Sequence, residues 1–347
     1  MNTCTYSWQL LLLFCLLVGC SSSEEKLAEA GYADVSFTAS ATTGQTRAAE
    51  DDGSTLTEGG RATVYVWEGE KLSQEDKNAY QNTYTFASNN GVYTLSGSEM
   101  QLPTGKTYSF YALSTNSTTQ PVPVMATANH TASIQNGVDY LMAVSANQSI
   151  GSAEKTTIPL VFRHIATRIV LTVKPATKDG YTSAGSLSAT IADIDNSGSY
   201  IDLSAIWDAS SPKDMIYWSS GDALVAGGTP KDQVDGGQQK EADQSGADNK
   251  VFTVSFIILP VAANQSIPLQ FDFTNIEFET GGQEATKRYT ARFNVNSSGL
   301  KGGYTYASTV TISRYAATFS GLPQVEPWLV DGIGLDEVIE VDPKPGI

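Results

Sequence analysis

Three cysteines supply all the thiols of this chain, and their spacing limits the chemistry that they could do. Cys4 and Cys15 lie before and inside the apolar run of residues 8–18 (WQLLLLFCLLV), and Cys20 follows that run after one glycine. As a helix the run would span about 16 Å, roughly half of a ~30 Å bilayer core, so it favours a cleaved signal peptide over a membrane span. With residues 1–19 removed, Cys20 is the one thiol left. The body then lacks cysteine for a disulfide, a thiolate metal site or nucleophilic catalysis.

The residues Leu17-Val18-Gly19-Cys20 resemble the lipobox of bacterial lipoproteins. That resemblance implies that Cys20 is diacylated and becomes the N-terminus of the exported chain. The departure from the pattern is that no lysine or arginine precedes the apolar run, so the usual positive charge is reduced to the amino terminus. An ordinary secretory peptide cut nearby is the alternative.

The leader, residues 20–47, has the pattern of a single strand that ends before an exposed arginine. Its apolar residues share one parity and alternate with serine and threonine; they are Val35, Phe37, Ala39 and Ala41. This period of two is typical of a strand with one face on a core. Arg47 follows in a polar loop, where the sequence Gln45-Thr46-Arg47-Ala48 suits a trypsin-like protease. The leader therefore predicts a tether, a strand that is later displaced, and a cleavage site between Arg47 and Ala48, with Arg61 as a competing site.

The body of the chain has the composition of an all-β protein. It is rich in Tyr, Phe, Thr and Ser, and short alternating runs are separated by Gly, Asn and Pro clusters. Several short strands at this spacing indicate antiparallel sandwiches. About 300 residues suit two domains, which we place at residues 48–165 and 166–326. The pentapeptide ANQSI at residues 146–150 and 263–267 favours two similar units.

Two segments interrupt the strand pattern. Residues 73–80 predict a short helix. Residues 227–250 (GGTPKDQVDGGQQKEADQSGADNK) contain no aromatic residue and predict an exposed, mobile loop, with a recognition loop as the functional alternative.

The charge and the remaining motifs exclude several functions. A formal net charge of -16 at pH 7 argues against nucleic acid or an anionic membrane surface as a partner. Residues 193–198 (DIDNSG) imitate the start of a calcium loop, but Ser204 stands where a bidentate glutamate is required. His130 and His164 are the only histidines, and no metalloprotease, hydrolase or nucleotide-binding motif occurs. We therefore expect neither an enzyme nor a bound cofactor or metal.

Four further motifs, taken with the lipobox and Arg47, resemble the fimbrillin-like family, relatives of the type V pilins of Gram-negative anaerobes. They are LVFRHIA at residues 160–166, FIILP at 256–260, GGYTY at 302–306 and VEPW at 325–328. The resemblance implies two tandem transthyretin-like β-sandwich domains. It also implies an outer-membrane lipoprotein precursor that becomes part of a cell-surface fimbrium supporting adhesion, with other fimbrial subunits as partners.

In that family an arginine-specific protease cuts after an arginine, the N-terminal strand leaves, and the opened groove accepts a donor strand from another subunit. Arg47 matches the cleaved position. Removing the strand would unpair a sheet edge and expose core, a state that favours strand addition.

The tail, residues 327–347, is the candidate donor strand. Its apolar residues again share one parity and are Ile333, Leu335, Ile339 and Val341, with Glu337 breaking the series. The alternative is that this tail completes the sheet of its own domain.

Two functions from different classes follow from these residues. The first is a structural fimbrial subunit, and the second is a permanently lipid-anchored surface protein that binds glycans or another envelope component. Removal of the leader distinguishes them, because a permanent lipoprotein keeps Cys20 attached to its body. A glycosidase is a third candidate function, but the carboxylates are too numerous and scattered to assign a catalytic pair.

Overall fold

A computed structural model describes residues 31–41, 56–69, 80–89, 92–151, 155–203, 224–225, 228–246, 250–279 and 281–328. Cys20, Arg47 and Ala48 lie outside these residues, and so does most of the helix predicted over residues 73–80. The predicted donor residues also lie outside them: Ile333, Leu335, Ile339 and Val341. These predictions stay predictions.

The described residues form strands and no helix, so the predicted all-β class is confirmed. In the first half the strands are β1 (Tyr32–Ala41), β2 (Arg61–Glu68), β3 (Tyr80–Asn89), β4 (Val92–Pro103), β5 (Lys106–Ser114), β6 (Leu141–Ile150) and β7 (Lys155–His164). In the second half they are β8 (Thr167–Pro175), β9 (Tyr181–Ser183), β10 (Ser186–Ile191), β11 (Tyr200–Ile201), β12 (Leu224–Val225), β13 (Gln238–Glu241), β14 (Asp243–Ser245), β15 (Val251–Ile258), β16 (Ser266–Phe278), β17 (Gly282–Asn294), β18 (Tyr304–Ile312) and β19 (Ala317–Pro327). Within the described ranges, no helix is long and apolar enough to cross a membrane.

The first seven strands form one closed sheet in the order β1-β4-β3-β2-β5-β6-β7. The closure is made by β1, which pairs antiparallel with β4 and parallel with β7. Alternate residues of β7, namely Ile158, Leu160 and Phe162, point inward and are buried. The alternation in the sequence predicts a sandwich of antiparallel strands. It does not predict the parallel pair that closes this sheet.

The second half has a two-stranded sheet of β11 and β12 and two larger sheets packed face to face. One has the order β13-β10-β16-β17, with β9 also paired to β16, and the other has the order β14-β15-β8-β18-β19. Phe252 of β15 and Phe273 of β16 meet edge to face across the interior, with ring centroids 5.9 Å apart. Strand β15 alternates between buried and half-buried residues along its whole length, as a strand with one core face does.

The segment of residues 227–250, predicted to be a mobile loop, contributes two short edge strands. Gln238–Glu241 pairs with β10 and Asp243–Ser245 pairs with β15. The prediction of exposure holds for β14, whose residues are all exposed. Edge pairing uses backbone groups and needs no apolar side chains, which is why the polar composition of this segment gives no strand signal.

The repeated pentapeptide has the same backbone feature in both halves. Asn147 and Asn264, the second residue of each ANQSI, have positive φ values of 55° and 59°. Asparagine tolerates this left-handed region better than other residues with a side chain. The repeat therefore marks the same local backbone conformation in two settings, inside β6 for Asn147 and in the turn before β16 for Asn264.

The long connection between β5 and β6 ties the two halves together. The Thr131 amide donates to the Ile201 carbonyl at 3.0 Å, and the Ile201 amide donates to Thr131 Oγ1 at 2.9 Å. Asn136 accepts a hydrogen bond from the Leu259 amide and donates one to Asp193. The outward face of the first sheet also joins the second-half core through Trp67 and other aromatic residues. The halves therefore share buried surface, and the domain boundary between residues 165 and 166 stays a prediction.

Three of the sequence motifs, LVFRHIA, GGYTY and VEPW, meet at the end of β7. The rings of His164 and Trp328 stack with centroids 3.8 Å apart and an angle of 4°. His164 Nδ1 lies 2.6 Å from Asp139 Oδ1, and the Trp328 amide donates to the Gly303 carbonyl at 2.7 Å. This junction stack of Asp139, His164 and Trp328 holds the end of the second half against the end of the first.

We expect Trp328→Ala to lower the free energy of unfolding by about 3–5 kcal/mol, because the indole is 4% exposed and its removal leaves a cavity over His164. Urea unfolding followed by tyrosine and tryptophan fluorescence measures the change. Tyr315→Ala is the control: that ring is 78% exposed, and we expect a change within about 0.5 kcal/mol. Equal effects of the two substitutions would show that the junction stack does not stabilise the fold.

Candidate functional site

The candidate site is the slot between β4 and β7 that β1 occupies. Along β7, β1 makes one uninterrupted parallel ladder of eight residue pairs, from Asp34 with Lys155 to Ala41 with Phe162. Along β4, the antiparallel ladder joins Tyr32 to Pro103 at one end and Ala39 to Tyr93 at the other. A strand from the leader therefore has hydrogen-bonded neighbours on both sides.

One face of β1 lies in the core of the closed sheet. Its inward residues are Ala33, Val35, Phe37 and Ala39, which are 0%, 1%, 2% and 4% exposed. The Phe37 ring lies between two other rings, with centroids 5.3 Å from Tyr84 and 5.8 Å from Phe110, both edge to face. Edge-to-face pairs contribute about 0.5–1.5 kcal/mol each beyond the area they bury. Phe37 is thus the largest side chain that β1 adds to this core.

The ladder with β4 is interrupted at its centre. Val35 pairs with Met100 and Phe37 pairs with Leu95, so residues 96–99 of β4 face the single residue Ser36. This bulge is held in place by Asn82, whose Nδ2 donates to the Ser98 carbonyl at 2.8 Å. A bulge disrupts local pairing and bends the strand that carries it. The slot therefore has one continuous wall, β7, and one broken wall, β4.

Polar contacts cover the outer face of β1. Ser36 Oγ lies 3.0 Å from Thr157 Oγ1. Lys155 Nζ lies 3.2 Å from Glu99 Oε1, and since these residues belong to β7 and β4, the ion pair crosses over β1. Both side chains are more than half exposed, and exposed pairs contribute at most about 1 kcal/mol. The apolar inner face therefore holds β1 more strongly than its outer face does.

The structure describes the predicted site residues of β1 and not the other predicted site residues. Val35, Phe37 and Ala39 lie together on the inner face of β1, and Ala41 pairs with Phe162 through the backbone. Cys20, Arg47, Ala48 and the tail residues are not among the described residues. Arg61 begins β2, and its amide donates to the Ser117 carbonyl at 3.3 Å. A protease needs an extended, unpaired backbone, so this position is a poor competing site.

The segment that imitates a calcium loop is a turn. Asp195 accepts hydrogen bonds from the amide and hydroxyl of Ser197, both at 2.9 Å, and these bonds lower the pKa of its carboxyl. Asp193 is paired with Lys231 at 2.7 Å. Among the described residues, no group of three or more potential metal ligands occurs.

The histidines have structural contacts. His130 stacks on Tyr200 with ring centroids 4.6 Å apart, and its Nε2 lies 3.7 Å from Asp202 Oδ2. His164 belongs to the junction stack. The sequence does not predict that stack, because nothing in the spacing of residues 164 and 328 indicates contact between the two rings.

A protein-family model described as fimbrillin-like matches residues 46–328. The chain belongs to the fimbrillin-like family. The family predicted from the sequence motifs is therefore confirmed. Fimbrillin-like chains are structural and non-enzymatic, and membership supports a pilin-like adhesion subunit that associates with other subunits at the cell surface.

Solved structures share the fold. A candidate cell adhesion protein from Bacteroides uniformis ATCC 8492 has a TM-score of 0.52 and 15% identity, with 86% of this chain and 98% of that chain covered. A fimbrial protein from Bacteroides vulgatus ATCC 8482 has a TM-score of 0.51 and 12% identity, with 85% and 99% covered. No curated protein matches this chain. At these identities the solved structures support the fold of the fimbrillin-like chain and not its finer function.

We expect Phe37→Ala to lower the free energy of unfolding by about 3–5 kcal/mol and to speed hydrogen exchange of the β1 amides, because it leaves a cavity between Tyr84 and Phe110. Urea unfolding and mass-spectrometric hydrogen exchange measure the two effects. Thr38→Ala changes the outward face of the same strand and should stay within about 0.5 kcal/mol. If both variants unfold at the same urea concentration, the inner face of β1 does not hold the strand in place.

Proposed function

We propose that this fimbrillin-like chain is a structural subunit of surface fimbriae that assembles by protease-triggered donor-strand exchange. The observation that carries the proposal is the insertion of β1 between β4 and β7. This strand belongs to the leader, yet its inner face forms part of the core of the body. Its removal would leave a slot of matching shape.

In the proposed sequence, the precursor is first tethered to the outer membrane through the acylated Cys20. An arginine-specific protease then cuts between Arg47 and Ala48, in the connection between the end of β1 at Ala41 and the start of β2 at Arg61. A cut there severs β1 from the rest of the chain. The family match begins at residue 46, which supports a functional unit that excludes β1.

The physical drive for exchange comes from the two walls of the slot. Without β1, β4 and β7 each lose a hydrogen-bonding neighbour, and the core around Phe37 meets water. A donor that buries three or four apolar side chains regains about 1.5–3 kcal/mol for each, on the order of 5–10 kcal/mol in total. Association costs about 4–15 kcal/mol, so backbone pairing along the slot must contribute as well.

We propose residues 333–341 of the tail as the donor strand offered to a neighbouring subunit. These residues follow Trp328, whose stacking on His164 supports a fixed point of departure from the body. In this chain the first domain, residues 48–165, would accept a strand from one neighbouring subunit, and the second domain, residues 166–326, would carry the tail that is offered to another.

We expect Arg47→Ala to block maturation, because the proposed protease requires arginine before the cut bond. The measurement is intact mass and N-terminal sequence of the protein recovered from cells, with gel analysis without boiling. The wild-type body should begin at Ala48 and appear in SDS-resistant ladders, and the variant should remain acylated at Cys20 without ladders.

Arg61→Ala is the matched control and should be processed as wild type, because the backbone at this position is paired in β2. A wild-type body that still carries the acylated Cys20 and forms no ladder would refute the exchange mechanism. It would favour a permanently anchored surface protein.

Deletion of residues 333–347 separates a donated tail from one that packs on its own domain. If the tail is donated, the unprocessed variant should unfold at the wild-type urea concentration, and the processed variant should form no ladders. A fall of more than about 1 kcal/mol in the stability of the unprocessed variant would instead indicate that the tail completes its own sheet.

A further inference from the structure

We infer that the Phe37 position is the specificity-determining subsite of the slot. It selects a strand from a different fimbrial subunit that places one large, preferably aromatic, side chain there and small side chains at the positions of Ala33 and Ala39. This inference rests on the proposed exchange of β1 for a donor strand, and it adds which strands can be accepted.

The sizes of the four inward side chains define the subsites. Along β1 they run small, medium, large, small at Ala33, Val35, Phe37 and Ala39, and all four are buried. A smaller side chain at the large subsite leaves a cavity. A larger side chain at a small subsite forces the surrounding strands apart. The slot therefore discriminates by the order of side-chain sizes and not by hydrophobicity alone.

The large subsite has fixed walls. Phe110 lies in the centre of β5, is 0% exposed and has paired strands on both sides. Tyr84 is held from behind by the bulge of β4: a methyl group on Gly97 would lie 2.8 Å from its Cδ1. The bulge itself is fastened by Asn82. The walls therefore cannot close around a small side chain without moving packed strands.

The register of an incoming strand is set mainly by β7. Its ladder with β1 is uninterrupted and pairs Phe37 with Ile158, whereas the ladder with β4 is broken beside Ser36. A strand that runs in the direction of β1 and uses the β7 ladder places every second residue in a defined subsite. A slip by two residues moves the large side chain into the medium subsite of Val35 or the small subsite of Ala39.

The tail of a second copy fits these subsites poorly when it runs in the direction of β1. With Leu335 in the large subsite, Glu337 falls at the position of Ala39; with Ile339 there, Glu337 falls at the position of Val35. Both positions are buried, and a buried, unpaired carboxylate is strongly unfavourable. With Ile333 there, Leu335 must enter the small subsite of Ala39. The slot is therefore better suited to a strand of another subunit than to this tail.

The test uses the full chain with the recognition site of a sequence-specific protease inserted after Thr43, so that β1 is severed while it remains in place. Fluorescein-labelled peptide of residues 31–42 is exchanged into the cut protein, and unlabelled peptides compete. The competitors are the wild-type peptide, Phe37→Ala, Thr38→Ala, and the doubly changed peptide Phe37→Ala with Ala39→Phe, which has the composition of the wild type. The tail peptide of residues 329–347 is the fifth competitor.

We expect Thr38→Ala to compete within about threefold of the wild-type peptide. Phe37→Ala, the rearranged peptide and the tail peptide should each be at least about 30-fold weaker. If the labelled peptide exchanges but the rearranged or the tail peptide competes as well as the wild type, the subsite inference is overturned and strand exchange stands. If the labelled wild-type peptide itself never enters the cut protein, the exchange proposal falls, and the subsite inference falls with it.

Discussion

The fold depends on one constraint: a sheet that closes on itself needs every strand to have two neighbours, and here one of those strands comes from the leader. β1 supplies the pairing that β4 and β7 would otherwise lack, and it places Phe37 in the middle of the first core. Closure leaves no exposed edge in this sheet, and exposed edges are where strands from other chains add. Under the proposed mechanism, the segment that processing removes is therefore the one that protects this sheet from strand addition.

Unlike the closed sheet of the first half, the sheets of the second half have edge strands. Its two larger sheets are open, and β19 and β17 lie at their ends. Phe293 of β17 and Phe319 of β19 meet with ring centroids 5.6 Å apart, so these edges are packed against each other. At the end of β19, the junction stack joins Trp328 to His164, the last residue of β7. The His164 and Trp328 side chains thus join β7, one wall of the slot, directly to the start of the tail.

Much of this fold follows from local sequence patterns. Short runs that alternate between polar and apolar residues indicated strands throughout the body, and the structure has strands there, among them β2 (Arg61–Glu68) and β7 (Lys155–His164). The same alternation predicted which residues of the leader share a face. Period-two patterns report which side of a strand is buried, and burial is a local consequence of side-chain type.

What the sequence did not reveal depends on contacts between distant residues. The parallel pairing of β1 with β7 joins residues more than 100 positions apart, and no periodicity encodes the choice of neighbour. At the bulge of residues 96–99, regular pairing with β1 is lost. The bulge is held instead by the hydrogen bond from Asn82 to the Ser98 carbonyl and by the packing of Gly97 beside the Tyr84 ring. The edge strands β13 and β14 form from polar residues because their backbone groups, not their side chains, are paired. Each of these features is determined by contacts between residues that belong to different strands.

The difference between the continuous ladder with β7 and the interrupted ladder with β4 affects how β1 can be held firmly and still be replaced. Breaking the ladder with β4 at Ser36 divides it into two short segments, and each can open without the other. The ladder with β7 stays continuous, so a strand that loses its contacts with β4 is still held in register on one side. In the proposed exchange, displacement would then proceed from the β4 side in steps, each of which exposes only part of the core around Phe37. A slot with two continuous walls would require the whole strand to leave at once, at a barrier set by all of its hydrogen bonds and buried side chains together.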